Sequence, residues 1–358
     1  MQKETNIEIE KDQFVKKLFW IDDLRCLAII SVIILHVSSF IVDSYGSISI
    51  FTWQLGNILD SSIRFCVPIF VMITGSLILP KKYELAVFLK KRFFRVVIPF
   101  IFYSLVYIFI DLTLIILDGD KMSLFETAKF VFIQFRDGSA FHLWYIYMII
   151  GIYLFIPIIG GWIRNASLKE IEYFLIVWLI TLFFNFPYIK KIEPNFDLTY
   201  FSGYIGYLVL GYYLTIKQFQ NIKSTRLITI LLGVIGAFIT ILGTYLGTYY
   251  NSQFYNGFYN YLTPNVMLVS IGIFLYFKNR KDYKLLWLIK IRNFISKYCL
   301  GIYLIHILIL NLLIKIGIDW KFLNPLVGVP VTTLMVLMIS GGIIYILNKI
   351  PYGKYISG

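Results

Sequence analysis

Charge is scarce in this chain. Lys, Arg, Asp and Glu make up 15% of its 358 residues, against about 25% in soluble domains. With 59% of the residues hydrophobic, too few charges remain to coat an ordinary water-facing surface. Cysteine is nearly absent. Cys26, Cys66 and Cys299 all fall in or beside apolar runs, at no spacing that suits a disulfide framework or a metal site. They read as small buried hydrophobes, and no metal is expected. Histidine is limited to His36, His142 and His306, each in or at the edge of an apolar run. Low-complexity tracts, clear internal repeats and a linker to a soluble domain are missing too. Together these absences exclude a soluble enzyme, a disulfide-stapled secreted domain and a zinc module.

What remains is a succession of apolar runs, most of them about 18 residues or longer, the length that reads as a membrane helix. The expected fold is all-α, a polytopic transmembrane helix bundle of about ten spans. They fall at roughly 20–42, 56–79, 94–117, 141–161, 170–186, 199–216, 227–249, 257–277, 294–316 and 325–348. Residues 1–19 mix Lys and Glu, and the first run lacks a small-residue cleavage site, so it reads as a retained first helix behind a short tail rather than a signal peptide. The expected layout is a tail at 1–19, one transmembrane domain at 20–348 and a second tail at 349–358.

The net charge of +13 points to topology, not to nucleic acid. With a cytoplasmic N-terminus, most basic residues fall on the inner side, as the positive-inside rule requires. These are Lys3, Lys11, Lys16, Lys17 and Arg25, the basic loops 80–95 and 278–297, Arg164, Lys169, Lys217, Lys223, Arg226, Lys349 and Lys354. The outer side keeps only Lys121, Lys129, Arg136, Lys190, Lys191, Lys315 and Lys321. Both termini are therefore expected in the cytoplasm. The longest outer loop, 118–140, contains "SLFETAKFVFIQF", a candidate for a helix lying on the membrane surface.

Ionisable residues inside membrane spans are costly, and each needs a partner or a function. The first span, "WIDDLRCLAIISVIILHVSSF", carries Arg25 and His36 eleven residues apart. At 100° per residue that step is three turns plus about 20°, so both side chains share one face, about 16 Å apart along the axis. Asp22, Ile29, Val32 and Ser39 complete the stripe. Arg64 and Asp60 form a second charged pair, one helical turn apart, inside the second span. Asp111 is a further buried acid in the third.

These residues do not stand alone. "IDDLRCLAIISVIILH" resembles the first helix of the acyltransferase family 3 membrane proteins, whose signature is Arg, ten residues, His. "RFCVPIFVMITGSLIL" (64–79) looks like the family's second helix. "KKRFFRVVIPF" (90–100) is similar to the basic stretch that opens its third. "FHLWYIYMIIGIYLFIPII" (141–159) resembles the His-Leu-Trp segment of the branch that includes the enterobacterial common antigen O-acetyltransferase. "YIGYLVLGYYL" (204–214) and "ISKYCLGIYLIHILIL" (295–310) are like later motifs. The branch with a Trp-Ser-Leu-x-x-Glu pattern differs, since "HLWYIYM" has no acid.

The resemblance implies an integral membrane O-acyltransferase of the cell membrane, in a bacterial or archaeal envelope. It would move an acyl group, usually acetyl, from cytosolic acetyl-CoA or another acyl-CoA to a hydroxyl of an envelope carbohydrate. The expected partners are membrane lipid and that carbohydrate acceptor. The residues suit the task. Arginine forks grip phosphate, which fits Arg25, Arg92 and Arg95 to the donor. Histidine titrates near neutrality and suits a general base. His36 would take the acceptor proton, or carry the acyl group itself as a nucleophile. His142 would assist in catalysis by orienting the acceptor or polarising the carbonyl. Arg64, His306 and Tyr303 would contact the acceptor.

Each residue also has a structural reading. Arg25 suits a snorkelling arginine, and Arg64 a self-satisfied pair with Asp60. His142 suits an aromatic belt beside Trp144 and Tyr145, and His306 a hydrogen bond to Tyr303. The competing class of function is a carrier or polysaccharide exporter. Carriers often show paired broken helices in matching halves, and no such pairing is visible in this sequence. A passive scaffold gives no reason for buried histidines.

Overall fold

A computed structural model describes residues 19–119, 122–189, 203–218 and 222–358. Among them every regular element is helical. In chain order the helices are α1 (Phe19–Asp43), α2 (Ile50–Ser62), α3 (Cys66–Ile78), α4 (Leu85–Arg92), α5 (Ile98–Leu117), α6 (Leu124–Asp137), α7 (Trp144–Ile163), α8 (Leu168–Phe184), α9 (Ile205–Ile216), α10 (Ile222–Asn251), α11 (Pro264–Lys278), α12 (Leu286–Lys315) and α13 (Pro325–Lys349). A π-helical turn, Phe93–Val97, joins α4 to α5, and 3-10 turns occur at Phe141–Leu143, Gly257–Tyr259 and Gly353–Tyr355.

Among the described residues, eight segments are long and apolar enough to cross a membrane: Phe19–Asp43, Ile50–Ile78, Leu85–Leu117, Phe141–Ile163, Arg226–Asn251, Gly257–Lys278, Leu286–Lys315 and Pro325–Lys349. The other two expected spans are helical but shorter. α8 has 17 residues and α9 has 12, about 25 and 18 Å of helix against a hydrocarbon core of about 30 Å. Residues 199–202 of the expected sixth span lie outside the described residues. So do 1–18 of the expected tail, with Lys3, Lys11, Lys16 and Lys17, and Lys121, Lys190 and Lys191.

The chain divides into two compact units. Of the described residues, the first contains those up to Pro80 and those between Asn165 and Lys297. Its helices approach closely where glycine faces backbone. A Cβ on Gly75 of α3 would strike the backbone of Leu208 in α9, and one on Gly211 of α9 would strike the backbone of Met72 in α3. Small residues at a membrane-helix crossing allow this approach. The Ser76 hydroxyl donates to the Gly211 carbonyl at 3.0 Å across the same crossing. α1 buries Leu24, Ala28, Ile29, Ile33 and Ile41. The buried Trp53 of α2 donates its indole N–H to the Val42 carbonyl at 3.0 Å.

The expected second span, 56–79, is in fact two helices that begin earlier, at Ile50, and break at residues 63–65. Pro68 accounts for the break. It has no N–H for the carbonyl four residues back, that of Arg64, and its ring collides with that carbonyl in a continuous helix.

The second unit contains Lys81–Arg164 and Tyr298–Gly358. The segment read as a basic loop, 80–95, is helical from Leu85 onward. Its charges do not stop helix formation. Pro99 withholds an N–H from the carbonyl of Arg95, and the turn before it widens into the π-helical Phe93–Val97. Likewise α12 starts at Leu286, inside the expected loop 278–297. The segment 118–140 does contain a helix, α6. Ser123 and Glu126 form a capping box at its start. The Ser123 backbone N–H and hydroxyl hold the Glu126 carboxyl below the usual carboxylate range. The C-terminal residues fold back, with Asn348 donating to the Ser357 hydroxyl at 2.9 Å.

Candidate functional site

In the first unit, the stripe on α1 is bracketed by polar contacts. Arg25 pairs with Asp22 at 3.0 Å, and the Ser296 hydroxyl donates to the same carboxylate at 2.6 Å. Asp22 thus fixes the guanidinium from one side and α12 from the other. Asp23, one residue on and rotated by about 100°, is buried in a second network. It lies 3.9 Å from Arg280 and 3.7 Å from Arg292, and Arg292 pairs with Asp282 at 2.6 Å. This network was not anticipated. The consecutive acids Asp22 and Asp23 were its only signal, since residues about 100° apart on a helix face different neighbours. His36 is half-buried, and the Ser39 hydroxyl donates to its carbonyl at 3.1 Å.

Past His36 the stripe runs into a cavity. Ser39, Val42 and Asp43 line a space of about 650 Å³ together with Asp60, Arg64 and the loop after α10. Asp43 lies seven residues beyond His36, two turns less about 20°, on the same face of α1. The helix break set by Pro68 puts Arg64 at this cavity. Its guanidinium pairs with the fully buried Asp60 and lies over the Tyr259 ring at 3.9 Å from the centroid, a cation–π contact.

A further layer holds both partners in place. The hydroxyls of Tyr259 and Ser61 donate to the Asn57 side-chain carbonyl at 2.9 and 3.0 Å. Asn57 in turn donates to the carbonyl of Ile241 at 3.1 Å. The opposite wall comes from Tyr188, Tyr255, Asn256, Asn260 and Tyr261. The sequence did carry a mark of that wall, the stretch "YNSQFYNGFYNYLTPN" at 250–265, rich in tyrosine and asparagine and free of Lys and Arg.

In the second unit, Arg92 immediately precedes the π-helical turn, Arg95 lies within it, and the two are not equivalent. Arg92 is half-buried against Phe88 and Tyr153, at 5.4 and 5.3 Å, and Arg95 is exposed. A step of three residues would align them on an α-helix, but the widened turn does not keep that register.

His142, His306 and Tyr303 come together as a cluster in this unit. His142 sits in the 3-10 turn before α7, and Gly138 adopts φ 105, a conformation that favours glycine, at the end of α6. The two imidazoles lie 5.0 Å apart, centre to centre, nearly perpendicular. The Tyr303 hydroxyl donates to the His142 carbonyl. The His306 Nδ1 is 2.5 Å from the Tyr303 carbonyl, so the pairing expected between His306 and Tyr303 runs through the backbone. Tyr107 packs on His142 at 5.5 Å, and its hydroxyl donates to the Leu304 carbonyl at 3.1 Å. His142 is 1% exposed and His306 0%. Among the described residues no three His, Cys, Asp or Glu side chains come together as a metal site would need.

With eight membrane-length helical segments among its described residues, the chain is a multi-pass membrane protein. The family model of the acyltransferase domain matches residues 18–345. The chain belongs to that acyltransferase 3 family and is a membrane acyltransferase. No curated protein and no solved structure matches it.

Proposed function

We propose that this protein transfers an acyl group, acetyl in the first instance, from cytosolic acyl-CoA to a hydroxyl of an envelope carbohydrate. The observation that carries the reading is the α1 stripe. It runs from a braced Arg25 through His36 to Ser39 and Asp43 at the wall of a polar, tyrosine-rich cavity. Ten crossings with both termini cytoplasmic, inferred from the Lys/Arg distribution, put Arg25 at the inner end and the cavity at the outer end. Arg25 then meets donor phosphate, and the cavity holds the acceptor. Within the second unit, Arg92 and Arg95 are that unit's own candidates for binding donor phosphate, with Arg95 the more accessible. The branch assignment, that of the common antigen O-acetyltransferase, rests on His142-Leu143-Trp144.

In the transfer, the acceptor oxygen attacks the thioester carbonyl carbon. A carbon–oxygen bond forms, the carbon–sulfur bond breaks, and CoA leaves as the thiol. His36 takes the hydroxyl proton and returns it to the departing sulfur. In the covalent variant it holds the acyl group between two such exchanges. Arg64 supports the acceptor or the developing oxyanion from the cavity side. The complete burial of His142 and His306 suits a positioning role, in which they and Tyr303 fix the start of α7 against α12.

The test is reconstitution in vesicles with labelled acetyl-CoA on the cytoplasmic face. Acetylated glycan should appear on the other face and vanish in His36→Ala. Flux of glycan without any acetyl transfer would instead establish a carrier.

A further inference from the structure

The cavity that holds Arg64 shares a wall with a second one in the same unit. The neighbour measures about 370 Å³ and is lined by Tyr188, Gly243, Leu246, Tyr250, Asn251 and Phe258. Tyr188 lines both. The two differ in chemistry. The first presents Asp43, Asp60 and Arg64. The second presents ring faces and aliphatic carbon, with one amide and two phenol groups at its margin.

The shared wall is a built feature. Tyr188 adopts φ 69, a region that side chains with a Cβ seldom occupy and that persists only where the surroundings fix it. Its ring stacks on Tyr255 at 6.2 Å and packs against Phe258 at 6.3 Å. Phe258 in turn occupies the space left by Gly243, where any Cβ would strike its ring.

The second cavity also has a distinct outlook. Leu242 and Leu246, spaced one turn apart on α10, are both exposed. On a membrane-spanning helix such an edge meets lipid chains. The second cavity, which Leu246 lines, therefore lies beside the lipid-facing side of α10.

We infer that the second cavity takes the hydrocarbon chain of the acceptor, whose hydroxyl-bearing head occupies the first. The acceptor is then an amphiphile anchored in the membrane, and Tyr188 sits at the junction of head and chain. This rests on the reading of the first cavity as the acceptor site.

The test uses the full chain in phosphatidylcholine nanodiscs with labelled acetyl-CoA. The probes are methyl and hexyl β-glycosides of glucose, galactose and N-acetylglucosamine. Each buried methylene is worth a factor of about four in affinity, so burial of two gives roughly tenfold or more. For each sugar that is acylated, KM for the hexyl glycoside should be lower than for the methyl glycoside by at least that ratio. Leu246→Trp, which fills the cavity, and Tyr250→Ala, which removes its wall, should each cut the ratio several-fold in folded protein. Equal KM values overturn the inference and leave the acceptor reading standing. So does a hexyl advantage that both variants retain, since that is plain partition into the bilayer. If neither series is acylated while the protein consumes acetyl-CoA, the acceptor reading fails and the inference falls with it.

Discussion

The two polar clusters of this molecule solve the same problem in opposite ways. Around Arg64 the charges line a cavity of about 650 Å³, and the hydrogen bonds that hold them come from a layer behind, through Asn57, Ser61 and Tyr259. Around His142 and His306 the polar groups are sealed among tyrosine rings, and their named hydrogen bonds go to backbone carbonyls. The first arrangement leaves side-chain chemistry facing a space that a ligand can enter. In the reading proposed above, the second uses polar groups to pin helices. Residue type alone does not separate them, since histidine is the more familiar catalyst and an arginine–aspartate pair the more familiar brace. What separates them is access.

The largest effect expected from perturbing this contrast is at Asp60. Asp60→Ala leaves Arg64 as a buried charge without its carboxylate, which costs about 3–5 kcal/mol where a buried pair is broken. Denaturation of the purified protein should show a loss of that order, together with loss of transfer. A fall of under about 1 kcal/mol would mean that Arg64 is solvated through the cavity and needs no brace.

Arg64→Lys is milder and more informative. A lysine keeps the charge near Asp60 but loses the fork and the flat stacking on Tyr259. Transfer should drop roughly tenfold or more with most of the stability retained, as activity assays beside thermal melts would show. Wild-type transfer would make the pair purely structural.

The smallest effect is expected at the sealed cluster. Tyr303→Phe removes one hydrogen bond to the His142 carbonyl, worth about 0.5–1.5 kcal/mol. Transfer per folded molecule should stay within about twofold of wild type. A large loss at unchanged stability would bring the cluster into the chemistry and erase the contrast.

Much of the scaffold was legible in the chain because lipid imposes a simple rule of length and apolarity. The expected spans at 20–42, 141–161, 257–277 and 325–348 agree with the observed membrane-length segments to within a few residues. The misreadings cluster where charge and proline meet helix ends. Residues 85–95 and 286–293 carry too much charge to score as membrane, yet the backbone stays helical because its hydrogen bonds are internal wherever it lies. The break at Arg64 was written in Pro68, four residues on, but a hydropathy reading passes over a proline inside an apolar run.

The candidate site was legible in part. The Arg25–His36 stripe follows from helix periodicity alone. The cavity does not. Tyr188, Tyr255, Tyr259 and Tyr261 come from segments far from α1 in the chain, and only folding brings them to Ser39 and Asp43. For the same reason the Asp23–Arg280–Arg292 network left no mark beyond a doubled acid.

The most direct measurement compares His36→Ala with His306→Ala in acetyl transfer from labelled acetyl-CoA, each divided by the folded fraction. Loss of a general base lowers the rate by about 10²–10⁴-fold. The account predicts a loss of that size for His36→Ala at wild-type stability. For His306→Ala it predicts near-normal transfer per folded molecule. Full transfer by His36→Ala would contradict it, whatever the behaviour of His306.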